Sequence, residues 1–243
     1  MIIKEIENNA VLKQKLSRIL DYIKNLTSIE AIGIRLRFKE DYPFFIYDGF
    51  SKSFAKKASN LCSETEDFPE KCMCGNILKG EIDSNRSFFT KNGAFFINCS
   101  SKFMKLTKYS TEKQFCDFNG YESVALIPIR ISKEIVGLIQ LHDNRKNRFS
   151  RNLVRFLEII ALVIGLDLLK YSPFKNLIEN QNTDNDKEVI ISICSYCKRI
   201  QIVKNEWISL ENCLNIIDHI YTDEFKFTHG VCPDCYDEQL SQF

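Results

Sequence analysis

One stretch limits the fold of this chain more than any other. The run from Tyr121 to Ile131 is followed, after Ser132-Lys133, by a second run from Glu134 to His142. Two apolar runs rich in β-branched residues and split by a short polar pair read as a tight antiparallel hairpin. With a two-residue turn and unbroken alternation, Ile127, Ile129, Val136 and Leu138 share one face, and Leu126, Pro128, Ile135, Ile139 and Leu141 share the other. Both faces are apolar, so the strands are expected inside a sheet covered on both sides. The turn holds no Gly or Asn, which leaves its type open. A charged loop, Asp143–Arg148, comes next. Phe149-Ser150 then opens a long apolar-periodic helix, with Ser150 as its expected N-cap.

Upstream, Leu12, Leu16, Ile19, Leu20, Ile23 and Leu26 recur at helical spacing, which predicts an amphipathic helix within residues 4–26. Ala31–Phe38 and Phe44–Tyr47 read as strands, Ser51–Asn60 as a short helix and residues 101–113 as another. Between 61 and 100 the periodicity fades into glycines and an aromatic cluster (Phe88, Phe89, Phe95, Phe96), where loops with short strands are expected. A long irregular stretch inside a domain tends to carry function.

The order strand, turn, strand ending in Asp-Asn, basic loop, Phe-Ser and final helix resembles the C-terminal half of GAF domains, and the resemblance spans most of residues 1–171. It implies an α+β fold: an antiparallel sheet with helices on one face and a small-molecule or cofactor pocket on the other. The last helix carries two apolar flanks, Phe156, Leu157, Ile160 and Ile164 on one and Ile159, Leu162, Val163 and Leu166 on the other. In the GAF family the terminal helices commonly pair between subunits, which implies a homodimer; helix-on-helix packing within one chain accounts for the flanks equally well.

Residues 172–188 are polar and Asn-rich and read as a linker. The tail, 189–243, contains Cys194-Ser-Tyr-Cys197 and Cys232-Pro-Asp-Cys235. Two C-x2-C turns let two pairs of thiolates meet one ion, and four thiolates satisfy tetrahedral Zn²⁺. A segment this short buries little core, and a structural metal makes up the deficit. Pro233 at the start of a helix fits a knuckle of the treble-clef or zinc-ribbon kind. His229 stands at H-x2-C spacing and is a weaker candidate ligand; Cys213 falls at a helical core position. The tail resembles a small zinc-binding module found at the C-terminus of bacterial sensor and response-regulator proteins.

Cys62, Cys72, Cys74, Cys99 and Cys116 lie in or beside the irregular middle. In Cys72-Met-Cys74-Gly75, Gly75 is placed to take φ > 0 and reverse the chain. Together with the run from Cys116 into the hairpin, this pattern resembles a cysteine-containing subclass of GAF domains in bacterial and archaeal signalling proteins, which keep such cysteines near the head of the pocket. Cys62, Cys72, Cys74 and Cys116 are the candidate cofactor-binding set. Three chemistries stand open: a second metal or an iron–sulfur cluster, a redox disulfide, or small buried side chains without chemistry.

Totals exclude some classes. Lys and Arg number 33 against 32 Asp and Glu, so the chain has no overall attraction for polyanions. In the tail, Lys198, Arg199, Lys204 and Lys226 face twice as many acidic residues, which argues against the nucleic-acid role that zinc ribbons often have. Ten cysteines with no apolar signal core after Met1 point to a reducing cytoplasm, and no run is apolar enough to cross a membrane. The expectation is a cytoplasmic sensor that registers a small ligand, a metal or a redox state in the GAF-like domain and passes it to a protein partner through the zinc module. The alternative is a thiol enzyme of the free methionine sulfoxide reductase type, with Cys72, Cys74 and Cys116 as attacking and resolving residues.

Overall fold

The 121–143 ribbon forms the middle of a five-stranded antiparallel sheet. In the computed structural model the strands β1 (Ala31–Leu36), β2 (Phe44–Asp48), β3 (Phe95–Ile97), β4 (Ser123–Ile131) and β5 (Glu134–Asp143) lie in the order β2-β1-β5-β4-β3. The structure describes residues 9–39, 41–57, 73–106, 120–131, 133–168, 190–197, 199–203, 206–208 and 226–240. They fall in two units, Met1–Ile178 and Glu179–Phe243.

The hairpin is present, with a fault in its register. Ile131 pairs with Glu134 and Arg130 with Ile135, as a two-residue turn requires, but Ile129 then pairs with Gly137 and Ile127 with Ile139. One extra residue on β5, Val136, makes a bulge and reverses the facing of everything beyond it. Leu138 therefore joins Leu126 and Pro128, while Ile139 and Leu141 join Ile127 and Ile129. That is the opposite of the grouping unbroken alternation predicts.

Two helices cover one face. Helix α1 (Ala10–Thr27) starts where the Asn9 side chain accepts from Leu12 N at 3.0 Å, and it buries Leu12, Leu16, Ile19, Leu20 and Ile23. The last helix of this unit, α5 (Arg151–Leu168), is capped by Ser150, whose Oγ accepts from Leu153 N at 3.1 Å. It rides close on β4: a Cβ on Gly165 would stand 2.2 Å from the Arg130 carbonyl oxygen. Its buried residues are Val154, Leu157, Ile160, Ala161, Ile164, Gly165, Asp167 and Leu168; Phe156, Ile159, Leu162, Val163 and Leu166 are half-buried.

The other face carries α2 (Lys52–Lys57), α3 (Met73–Leu78) and α4 (Ser100–Leu106). Its apolar cluster joins Met73, Ile77, Phe95, Phe103, Leu126 and Leu138 and includes no residue of α1 or α5, which puts those two helices on the Ile127/Ile129 side. Helix α3 corrects the reading of the irregular middle. Gly75 is a buried helical residue and not a reversal at positive φ.

In the second unit, β6 (Ile190–Cys194), β7 (Ile200–Val203), β8 (Glu206–Ile208) and β9 (Lys226–Gly230) form a sheet in the order β8-β7-β6-β9, and α6 (Pro233–Leu240) follows. The β6–β9 pair is parallel, while β6–β7 and β7–β8 are antiparallel. Cys213 lies outside the described residues. Among the described residues no helix is long and apolar enough to cross a membrane.

Candidate metal centre and candidate ligand face

In the parallel pair, Cys194 stands beside Gly230, so β6 and β9 release their C-x2-C turns at the same end of the sheet. Ser195 N donates to Gly230 O at 2.9 Å, and Cys194 N donates to Arg199 O at 2.7 Å, closing the first turn. Pro233 occupies the first helical position, where its missing N–H costs nothing, and this sets Cys232 before α6 and Cys235 in its first turn.

The sulfurs of Cys194, Cys197, Cys232 and Cys235 all lie within 4.8 Å of one another, close enough to hold a metal ion. Cys194, Cys232 and Cys235 are buried with Trp207 packed against them, and Cys197 is exposed. His229 is exposed on β9 and is not part of the four-sulfur group.

The electrostatics of the four thiols suit a shared cation. Burial works against the Cys194 thiolate, but N–H donors from Cys232, Cys197 and Tyr196 bring its pKa down to about 6. Cys197 is likewise lowered against burial, chiefly by the Arg199 side chain. Cys235 is pushed up to about 12 by its hydrogen bond with Cys232 and by burial. Thiols packed this tightly cannot all ionise unaided. A divalent ion held there would supply the missing positive charge, and four soft sulfur donors are a tetrahedral donor set.

The cysteines of the first unit are placed differently. Of the candidate cofactor-binding set, Cys62, Cys72 and Cys116 lie outside the described residues, and Cys74 alone is described. Cys74 is in α3, 6% exposed within the apolar cluster beside Met73, Ile77 and Leu78. Cys99 is half-buried, its Sγ 3.3 Å from Ser101 Oγ. Among the described residues the tail holds the only group of three or more ligating side chains close enough for a metal.

On the sheet face away from α1 and α5, the structure assembles a polar line. Arg35 on β1 and Gln140 and His142 on β5 are all buried and point the same way, since Gly33 pairs with Gln140 and Arg35 with Leu138. Arg35 Nε donates to Gln140 Oε1 at 2.9 Å, Arg35 Nη1 donates to Tyr42 O at 3.0 Å, and Gln140 Nε2 meets His142 Nε2 at 3.0 Å. The guanidinium carbon sits 3.6 Å from the Phe44 ring centroid, a cation–π contact. Around the His142 ring stand Phe50, Phe54 and Tyr121, with centroids 5.2, 5.8 and 4.9 Å away. Burial, helped by the nearby Arg35 charge, lowers the His142 pKa to about 3, so the ring is neutral.

Sequence reading places His142 at the end of the second apolar run and passes over Arg35 and Gln140. Their signal was there: a charged and an amide side chain inside otherwise apolar strands. Asp143, the first residue of the charged run Asp143–Arg148, is fully buried. Burial opposes its charge, yet hydrogen bonds from the Arg145 side chain and backbone hold its pKa below the usual carboxylate value. Arg145 Nε and Nη2 donate to it at 2.8 and 2.7 Å. The same guanidinium donates to Ser28 O at 2.6 Å, so the carboxylate ties the end of β5 to the turn after α1.

The family model of the GAF domain matches residues 16–168, well over half of the sequence. The chain belongs to the GAF domain family. Both the sheet and the polar line of this GAF-domain protein fall inside the matched segment, and the tail lies beyond it. No curated protein matches the chain. Solved structures similar to it include a type II free methionine-R-sulfoxide reductase from Thermoplasma acidophilum, 13% identical over 68% of this chain and 96% of that one, TM-score 0.49. The GAF domain of an Acinetobacter phosphoenolpyruvate-protein phosphotransferase is 13% identical over 72% and 92%, TM-score 0.49. A domain of a putative two-component sensor histidine kinase from Sinorhizobium meliloti is 14% identical over 72% and 100%, TM-score 0.46.

Proposed function

We propose that this GAF-domain protein is a cytoplasmic signal-transduction sensor. A small molecule is received over the sheet face that carries Arg35, Gln140 and His142. The response reaches a protein partner through the terminal helices and the tail, where Cys194, Cys197, Cys232 and Cys235 hold a structural Zn²⁺. The sensor works as a homodimer, joined along the half-buried flank of α5.

The buried polar line carries this reading. Placing Arg, Gln and His on inward positions of two neighbouring strands costs desolvation that apolar residues of similar volume avoid, often with a gain in stability. A few convergent polar groups among aromatic rings are what orients a small ligand. For the tail, four sulfurs in an acidic module with little core support a structural ion and a protein partner over a nucleic acid. The burial of Cys74 in an apolar cluster speaks for packing and not for an attacking thiol. A methionine sulfoxide reductase would therefore have Cys72 and Cys116 left to carry its chemistry.

The test begins with protein purified without oxygen, its metal content, absorption spectrum and native mass recorded. It is then screened by thermal shift against amino acids, nucleotides, dicarboxylates and metal ions. One zinc per chain and a stabilising small molecule whose effect is lost in Arg35→Lys support the proposal. A coloured cluster would move the input to the cysteines of the first unit. Thiol-dependent turnover of free methionine sulfoxide would replace the sensor with an enzyme. A bound ligand that leaves hydrogen exchange in α1 and α5 unchanged would remove the relay.

A further inference from the structure

Arg199 spans the two C-x2-C turns. Its Nε donates to Cys197 Sγ at 3.1 Å and its Nη2 to Cys232 Sγ at 3.3 Å. Those sulfurs belong to different turns and lie 3.6 Å apart, so one planar group bridges both. The third nitrogen, Nη1, donates to the Asp234 carboxylate at 2.6 Å, and Asp234 sits between Cys232 and Cys235 in the sequence. The backbone is pinned as well, because Arg199 O accepts from Cys194 N at 2.7 Å. The residue is fixed at both ends.

A divalent ion held by four thiolates leaves a net charge of about −2 on the cluster, within a module that is already acidic. Two of the sulfurs, Cys194 and Cys232, have no exposure over which water could spread that charge. Hydrogen bonds to ligand atoms from outside the coordination sphere orient those ligands and tune the ion. Arginine suits this position better than lysine, since its rigid fork reaches two acceptors at once while an ammonium acts as a single point charge. A surface ion pair with Asp234 alone would add little. The two sulfur contacts distinguish this geometry.

We propose that Arg199 is the positioning and charge-compensating residue of the tail's metal centre, that Asp234 holds its guanidinium in place, and that the arginine shields the exposed thiolate of Cys197 from electrophiles. The assignment rests on the four cysteines holding a metal.

The experiment uses the full chain loaded with Zn²⁺, as wild type, Arg199→Ala, Arg199→Lys and Asp234→Asn. Zinc affinity is measured by competition with a chromophoric chelator, and alkylation by iodoacetamide is followed at each cysteine by mass spectrometry. Arg199→Ala is expected to weaken zinc binding by about 10- to 100-fold, with Cys197 becoming the fastest-alkylated of the four. Arg199→Lys should recover part of both losses, and Asp234→Asn should fall closest to wild type. Wild type that binds one zinc, with an Arg199→Ala variant that matches it in affinity and alkylation, overturns the role of Arg199 alone. If Arg199→Ala fails to fold, Arg199→Lys decides: identity with wild type in both measurements overturns the assignment. Wild type that binds no zinc sinks the metal reading and this inference together.

Discussion

Arg35 Nε donates to Gln140 Oε1 at 2.9 Å across two central strands, and both side chains are buried. Removing the acceptor strands part of a buried cation, a change that costs more than the net worth of the bond. Gln140→Leu is expected to lower the unfolding free energy by about 3 kcal/mol in urea titrations with an unchanged m-value. The double variant Arg35→Met, Gln140→Leu should regain part of that loss. If Gln140→Leu costs well under 1 kcal/mol, the line is not a tightly coupled network.

Gly165→Ala is a test with a decided sign. In an exposed helix that substitution stabilises by about 0.5–1 kcal/mol. Here the added Cβ would sit 2.2 Å from a backbone oxygen of β4, which cannot swing aside as a side chain end can. A loss of about 1–3 kcal/mol is expected, read as a lower denaturation midpoint. A neutral or stabilising result would mean that α5 does not ride this closely on Arg130.

Acid should weaken the first unit through His142. Its pKa falls from 6.5 to about 3 on folding, so the unfolded chain binds one more proton between those values and stability drops as pH falls through that window. The slope is about 1.4 kcal/mol per pH unit from this residue. Asp143 acts in the same direction at lower pH: its depressed folded pKa gives stability that is present above the ordinary value of 3.8 and lost as pH falls through the folded one. Denaturation midpoints measured from pH 7 to 4 check the His142 contribution. His142→Asn should flatten the slope, and a slope that survives the substitution assigns it elsewhere.

Chelation should act on the tail. Stripping the metal with a strong zinc chelator is expected to release amide protection in β6, β9 and α6 while β4 and β5 keep theirs, as followed by hydrogen-exchange mass spectrometry. Cys232→Ser should reproduce the effect without chelator. Unchanged protection in α6 after complete metal loss would make the ion dispensable for the module's fold.

The half-buried stripe Ile159, Leu162, Val163 and Leu166 bears on assembly. Sedimentation of the full chain is expected to give a dimer, and Leu162→Glu to give a monomer with a folded sheet. A wild-type monomer at tens of micromolar would leave the stripe to some other occupant.

Much of the scaffold was legible because its signals are local. Ser150 caps a helix, Pro233 opens one, and β-branched runs flank Ser132-Lys133; each depends on chemistry within a few residues. The facing of β5 was not legible, because a single unpaired residue at Val136 reverses it and nothing near Val136 announces a bulge. Helix α3 was missed where Gly75 reads as a breaker; burial of Met73, Ile77 and Leu78 against the sheet outweighs that weak preference.

The sequence by itself determined the central hairpin, the two long helices, the GAF family and the four tail cysteines, since periodicity, caps and ligand spacing are written along the chain. Only the tertiary structure decided which residues share a site. Parallel pairing of β6 with β9 joins cysteines 38 positions apart. Register between β1 and β5 sets Arg35 against Gln140, 105 positions away. Such juxtapositions arise from burial and strand pairing over the whole domain, and no local preference encodes them.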